Sequence, residues 1–393
     1  MPAKNLSQPL SIDFSILDMF YWLCSHGWIL RNVRIDMVLI IPLRCFGYNL
    51  LIIMKTQTIT DFDLITEKEW DSALAESETN APFLRYGFQR AWWSHLGGGE
   101  WRNAALRIIG MYQDERLCGI APLFISEING IKELHFVGSF EIADYLDFIV
   151  PPEMADEFIR EVLQICEHDP DFAADRIVLY NIPDDSPSIA ALKKIAADGE
   201  WQVQIENAYH TPAIKLADDW DTYLESIDKK QRHEIRRKMR RAESSEEDAV
   251  SWHIIGAEDD LEQAILDFTA LMEHDTEKAK FLTPAMRAQM AEIIRWAAQA
   301  GILQLSFLKV NEIQAAAYLC FDDADRIWVY NSGFSPGFGY YSPGWVLLGY
   351  LIQHAIMTGK SHFDFMRGDE EYKYRFGAED SFVMKAVIQR SNP

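Results

Sequence analysis

The sequence has no C-x-x-C pair and no cluster of histidines. Its five cysteines, Cys24, Cys45, Cys118, Cys166 and Cys320, lie far apart in a chain of 393 residues. That spacing excludes a zinc finger and a disulfide framework, and it fits buried thiols in a reducing compartment such as the cytoplasm. No H-E-x-x-H occurs among the ten histidines, so no metal is expected. No G-x-G-x-x-G leads from a strand into a helix, which argues against a dinucleotide. The triplet Gly97-Gly98-Gly99 lacks the Lys-Ser/Thr pair of a P-loop and reads as a helix stop. The Ser-x-Gly segments lack the setting of a nucleophile elbow.

Positive charge is also scarce. There are 37 Lys and Arg against 60 Asp and Glu, a net charge of −23. Such a chain repels nucleic acid and anionic membranes at long range, although a local basic patch can still hold an anion. Long apolar runs are missing too. Met37 to Met54 is apolar but broken by Pro42 and Arg44, whereas a membrane span needs about 20 clean residues. No stable membrane insertion is expected, and no cleavage site marks a signal peptide.

What remains is ordinary for a globular protein: 49% hydrophobic and 25% charged residues, with length enough for two domains. Residues 1–53 stand apart. They carry Lys4, Arg31, Arg34 and Arg44 against three aspartates, and no glutamate. The composition shift places the true start at Met54, with residues 1–53 an extension outside the fold.

From Met54 onward the chain reads as one pattern used twice. Thr66-x-x-Glu69 is a capping box before a helix. Tyr86 to Leu96 is a second helix. Ala105–Met111 and Leu117–Ile125 are strands about a turn at Gln113-Asp114-Glu115, and Leu134–Val137 is a third. A helix starts at Pro151-Pro152, and a strand follows from Arg176 to Asn181. In the second half, Leu303–Val310 and Gln314–Phe321 flank Asn311-Glu312. Arg326–Tyr330 is the next strand, Ser342-Pro343 opens a helix, and His362–Met366 is a strand. Glu115-Arg-Leu-Cys-Gly-Ile-Ala-Pro-Leu-Phe matches Asn311-Glu-Ile-Gln-Ala-Ala-Ala-Tyr-Leu-Cys-Phe, and Val137-Gly-Ser-Phe matches Asn331-Ser-Gly-Phe. The constant offset predicts a tandem duplication in an α+β protein, with lobes at 54–205 and 206–393.

Between the halves lies a dense basic run, Lys229 to Arg241. At helical pitch Ile227, Gln231, Ile235 and Met239 form an inward seam and cations cover the rest. The run reads either as a solvated linker helix or as an anion platform. Near the C-terminus, Tyr372, Lys373, Tyr374, Arg375 and Phe376 follow the turn Arg367-Gly368-Asp369. Cations interleaved with aromatics just past a strand make a poor core and a good anion or acyl site.

The stretch Asp364-Phe-Met-Arg-Gly-Asp-Glu-Glu-Tyr-Lys resembles the C-terminal signature of the CelD-like (BioF-like) acetyltransferases. These are a branch of the GNAT superfamily related to the FemAB transferases. The basic run also resembles that family's corresponding helix. The likeness covers most of Lys229 to Ala378 and, more weakly, Glu67 to Val150. It implies two tandem GNAT-like lobes with mixed sheets, the first a degenerate copy. It further implies acyl-coenzyme A, by default acetyl-coenzyme A, as co-substrate, and an amine or hydroxyl of a small molecule or cell-envelope saccharide as acceptor. A FemAB-like aminoacyl transfer from charged tRNA and a non-catalytic binding module for an envelope component stand as alternatives.

The candidate site residues follow. Ser342, Pro343 and Gly344 suit the start of a helix whose bare amides attract phosphate, though the same three residues also serve as plain capping. The resemblance implies that they hold the donor's pyrophosphate, while departing from the usual GNAT Arg/Gln-x-x-Gly-x-Gly/Ala loop. Lys373 precedes Phe376-Gly377 as an active-site lysine does in FemAB transferases, which implies a role in stabilising the oxyanion or holding the acceptor. Asp364 is either a general base or a buried carboxylate bonded to backbone amides. Tyr330 is either an acid for the departing thiolate or packing. Arg367, Tyr372, Arg375, Arg232 and Arg236 are candidates for holding substrate. Arg367 alternatively pairs with Asp369 across Gly368.

Overall fold

The structure, a computed structural model, describes residues 35–45 and 48–391, with side chains from Met54 onward. Residues 1–34, most of the compositionally atypical stretch, lie outside the described residues. The remainder of that stretch forms strand β1 (Ile35–Cys45), antiparallel to β2 (Tyr48–Ile59), which runs through Met54. The apolar Met37–Met54 segment is therefore a hairpin. No helix among the described residues is long and apolar enough to cross a membrane.

Two helices follow. Helix α1 (Glu67–Leu74) starts at the expected capping box, with Thr66 and Glu69 each satisfying the other's backbone. Helix α2 (Tyr86–Gly99) ends where Leu96, Gly97 and Gly98 turn left-handed. Strands β3 (Ala105–Leu106), β4 (Ile108–Gln113), β5 (Arg116–Ala121), β6 (Leu123–Ile128) and β7 (Ile131–Phe136) then alternate with tight turns. The sequence suggests one long strand over Leu117–Ile125. Pro122 breaks it instead, because proline cannot donate to a ladder, and β5 and β6 enter different sheets. Helix α3 (Ala155–His168), β8 (Arg176–Pro183), α4 (Pro187–Asp198) and β9 (Trp201–His210) complete this half.

The second half holds β10 (Ala213–Lys215), α5 (Trp220–Ser226), the basic helix α6 (Lys229–Glu243), β11 (Val250–Ile254), α7 (Leu261–Met272), α8 (Thr276–Phe281) and α9 (Pro284–Gln299). After these come β12 (Leu303–Val310), β13 (Ile313–Asp323), β14 (Arg326–Phe334), α10 (Pro343–Met357), β15 (His362–Asp364), α11 (Glu371–Arg375) and β16 (Phe382–Arg390).

Both halves show the same sheet logic. One six-stranded sheet runs β3-β6-β7-β8-β16-β9 and the other β11-β12-β13-β14-β15-β10, while β1-β2-β4-β5 form a third, four-stranded sheet beside the first. In each six-stranded sheet, antiparallel hairpins lead to one parallel pair, β7 with β8 and β14 with β15, crossed by a helix. The turns repeat as well: Asp114 and Glu115 have φ of 47° and 66°, Asn311 and Glu312 of 49° and 65°. Two successive left-handed residues suit the right-handed twist of a hairpin. The fold is α+β with two tandem lobes. The last strand, β16, leaves the second half and inserts between β8 and β9 of the first sheet.

The lobes are welded by aromatic rings. Phe83 meets Phe321 and Tyr330 at 6.1 and 5.6 Å between centroids, and Tyr145 meets Trp328 at 5.4 Å. One hydrophobic cluster contains residues of both lobes, among them Ile293, Ala297 and Phe321. Arg85 binds Asp323 through two hydrogen bonds of 2.7 and 2.6 Å. Such bidentate charge pairing adds orientation to attraction.

Helix α7 crosses β14 closely enough to need a glycine. A Cβ at Gly333 would lie 2.5 Å from the Met272 nitrogen, which is backbone and has little freedom to yield. Gly333→Ala is expected to destabilise the protein by about 1–3 kcal/mol, read as a lower midpoint in urea unfolding.

Candidate active site

Strands β14 and β15 pair only over Arg326–Trp328 and His362–Asp364. Beyond that, β14 continues to Phe334 while the other chain turns away at Met366, whose φ is 55°. The sequence suggests a strand as far as Met366; the left-handed residue stops it two residues earlier. The parting strands leave space for a cleft of about 320 Å³, lined by Tyr318, Ser332, Phe334, Gly339, Ser342–Trp345, Leu348 and Tyr372.

Helix α10 begins at this cleft. Pro343 has no N–H, and Ser342 occupies the cap position in a left-handed conformation, φ 50°, without a side-chain capping bond. The sequence suggests a conventional serine cap; the left-handed backbone turns that hydroxyl away. The first amides of an α-helix have no intrahelical acceptor, so Gly344 and Trp345 present theirs with the positive end of the helix dipole.

The basic helix α6 flanks the same place. Ile235, Met239 and Ala242 are its buried seam, and Met239 packs against Gly349 of α10. Lys238 and Arg241 sit beside that seam and reach the cleft mouth. The Lys238 ammonium lies 4.1 Å from the Trp345 ring centroid. Arg241 donates to the Tyr340 carbonyl at 2.8 Å and lies over its ring. Burial lowers the Lys238 pKa, while Glu234 partly restores it. Arg236 instead pairs with Asp221, and Arg232 reaches the Leu224 and Glu225 carbonyls. Neither lines the cleft. Arg375 pairs with Glu371 on the exposed side of α11.

Tyr318 and Tyr372 supply the cleft's polar wall. Among the described residues neither hydroxyl has a hydrogen-bond partner. Burial raises both phenols above their ordinary value, so both remain donors near neutral pH. The exposed rings of Phe334 and Tyr340 stand at or beside the mouth.

Lys373 is turned inward. Only 3% exposed, its ammonium donates to the carbonyls of Arg367 at 2.7 Å and Gly368 at 3.0 Å and pairs with Glu370 at 2.9 Å. Arg367 does not pair with Asp369. It binds Asp144 of the first lobe and donates to the Phe140 and Glu141 carbonyls, both at 2.7 Å. Its reach across the lobe boundary is invisible to local spacing.

Asp364 ends its strand and is 1% exposed. It accepts from the Met366 amide at 2.7 Å, from Arg326 at 2.9 Å and from the Tyr145 hydroxyl at 3.1 Å. Its neighbours thus include a phenol of the first lobe as well as the backbone amide. Tyr330 packs among Phe83, Phe88 and Phe321. It lines a second cleft of about 330 Å³ between the lobes, with Glu141, Asp144, Tyr209, Asn331, Arg367 and Gly368.

Sequence reasoning placed Lys238 and Arg241 in the basic run without singling them out, and it passed over Tyr318 and Lys278. The first two carry a signal, since they flank Met239 on the seam of α6. The others become visible only when β13, β14 and α8 are brought together.

The comparisons agree with this geometry. Residues 229–374 match the family model of the acetyltransferase (GNAT) domain. The second lobe therefore carries a GNAT-type acetyltransferase domain. No curated protein matches it. The crystal structure of FemX is similar over 82% of this chain and 96% of its own, at 13% identity and a TM-score of 0.59. A conserved protein of unknown function from Bacteroides thetaiotaomicron is similar over 83% and 98%, at 11% identity and a TM-score of 0.55. Both share the fold of this GNAT-type chain across its two lobes.

Two consequences are measurable. Lys373→Ala strips two half-buried carbonyls of their donor and is expected to cost about 1–3 kcal/mol in all, seen in urea unfolding whether or not turnover changes. Burial raises the Asp364 pKa above that of an ordinary aspartate, against Arg326 and the Met366 amide. Between the ordinary value and the raised one, the folded protein holds a proton the unfolded chain has released, so stability falls as pH rises through that window. Asp364→Asn is expected to remove this part of the slope in urea midpoints measured from about pH 4 upward.

Proposed function

We propose that this protein transfers an acyl group from acyl-coenzyme A, with acetyl-coenzyme A the default, to an amine or hydroxyl of a small molecule or envelope saccharide. One observation carries the reading: the uncapped start of α10 opens into a cleft whose mouth bears Lys238 and Arg241. Backbone amides, a helix dipole and two cations suit a pyrophosphate. The narrow, largely apolar cleft behind them suits a pantetheine arm that carries its thioester toward Tyr318 and Tyr372.

The reaction is a direct displacement. The acceptor's nitrogen or oxygen attacks the thioester carbonyl, a C–N or C–O bond forms, and the C–S bond breaks. The Tyr372 phenol donates to the departing sulfur, which leaves as the thiol, and the proton released by the acceptor restores the phenol. Lys373 holds the segment that carries Tyr372, so its part is positioning. The cofactor requirement ends with the acyl donor.

The first lobe offers no equivalent site. The start of α3 carries Glu153, Asp156 and Glu157, which repel phosphate. The space beyond its parallel pair is filled by its own loop, where Asn181 donates to the Phe140 and Ala143 carbonyls. One donor per chain is the consequence.

Aminoacyl transfer from charged tRNA is the second reading. It is favoured by the cations that continue along α6 beyond Lys238 and by the shared FemX fold. The net charge of −23 opposes it.

Gly344→Asp separates these questions from folding. The position is helical, and a Cβ there meets only Phe334 at 3.6 Å. A carboxylate in the first turn favours the helix by about 0.3–1 kcal/mol but repels phosphate. The variant is expected to melt no lower than the parent and to lose acetyl-coenzyme A binding in calorimetry. Lys238→Ala is expected to weaken that binding about tenfold, as loss of one charge-assisted contact does. Unchanged affinity in both variants would overturn the donor site, and binding of charged tRNA in place of acetyl-coenzyme A would favour the second reading.

A further inference from the structure

The donor cleft and the cleft between the lobes are neighbours with a thin wall. Consecutive residues of β14 face different sides of it: Asn331 lines the interlobe cleft and Ser332 the donor cleft. Gly368 lines the former and Tyr372 the latter. An acceptor entering between the lobes and a thioester arriving along the donor cleft therefore meet where β14 and the 368–372 segment part.

Two charged groups stand on this wall. Lys278, from α8, donates to Asn331 Oδ1 at 3.0 Å and to the Ser332 carbonyl at 2.5 Å. Glu370 folds back over Gly368: a Cβ on that glycine, φ 112°, would lie 2.4 Å from Glu370 Oε2. The same carboxylate meets the Lys373 ammonium at 2.9 Å, yet its side chain is 59% exposed. It is thus anchored at one oxygen and open at the other. Asp364 and Asp144, the buried carboxylates nearby, already accept from arginine.

We infer that Glu370 is the general base that accepts the acceptor's proton, a catalytic assignment that rests on the donor reading above. The acceptor N–H or O–H bond breaks toward the free Glu370 oxygen as its nitrogen or oxygen attacks the thioester carbonyl. The C–S bond breaks, the sulfur takes the Tyr372 proton, and Glu370 passes its proton through water to the phenolate. Proton and electron pairs balance without any further reactant. The charged groups facing Glu370 are Lys373, in contact with it, Lys278 and the adjoining Asp369. Tyr372 and Tyr374 are the remaining titratable neighbours. In the interlobe cleft Arg367 answers Asp144 and covers the Tyr209 ring, which leaves Glu141 as the further carboxylate and fits an amine-bearing acceptor better than an anionic one.

Glu370→Gln keeps an acceptor for Lys373 and removes the base. The test uses the full chain with acetyl-coenzyme A as donor and glucosamine as the amine probe, following thiol release across pH, with donor binding measured separately by calorimetry. Wild-type protein is expected to bind the donor and to lose rate as pH falls through the carboxylate range. The variant is expected to bind equally, to melt at the same temperature, and to release thiol at least about 100-fold more slowly without that acid limb, the scale of losing general-base catalysis. Equal rates in both proteins, or donor binding with no Glu370-dependent release, would overturn the assignment while leaving the donor reading intact. If the wild-type protein binds no acetyl-coenzyme A, the donor reading and this assignment fall together.

Discussion

The Lys373 ammonium beneath the Arg367–Gly368 turn is the contact on which the rest depends. A buried cation is tolerated only where its protons are matched, and here two short carbonyl contacts and a carboxylate match them. The turn so fixed points Arg367 outward to clamp Asp144 and the carbonyls of the 140–141 segment in the other lobe. It also sets Tyr372 against the donor cleft and Glu370 on the wall between the clefts. One side chain thus ties the lobe interface to the geometry of the reacting groups.

That arrangement would allow a strongly acidic protein to hold the polyanionic donor proposed for it. The net charge acts at long range and is screened within about 8–10 Å at physiological salt. On the proposed reading, the donor would meet the α10 amides, Lys238 and Arg241 at contact distance. The acidic surface disfavours unselective nucleic-acid binding, and the local patch is where the proposal places phosphate affinity. The first lobe has carboxylates at its matching helix start and supplies Asp144 and the 140–141 carbonyls that Arg367 clamps. Its union with the second lobe is reinforced by β16, which crosses from one sequence half into the other's sheet.

Much of the fold was legible in the sequence because its signals are local. The Thr66–Glu69 capping box, the hairpin turns at Asp114-Glu115 and Asn311-Glu312, and the seam of α6 through Ile235 and Met239 each depend on residues a few positions apart. The site was legible only in part. The helix start at Ser342–Gly344 and the aromatic tail at Tyr372 were evident, and they do share a cleft. The directions of the side chains within that tail were not. Lys373 and Tyr372 are adjacent in sequence, yet one enters the core and the other the cleft, because a short helix sends successive residues about 100° apart. The carboxylates were equally ambiguous: Asp364 is buried by the lobe interface, whereas Glu370, three residues past Arg367, stays open.

The sequence by itself determined the α+β class, the duplication, and the GNAT-type character carried by Asp364–Lys373, since these rest on periodicity, turn chemistry and a compact motif. Tertiary structure alone decided that Arg367 reaches across to Asp144, that Tyr318 lines the cleft at α10, that Lys278 bonds Asn331 and Ser332, and that these two residues line different clefts. Those facts depend on how strands part and lobes dock. Residues more than 200 positions apart are brought together there by packing, which no local pattern encodes.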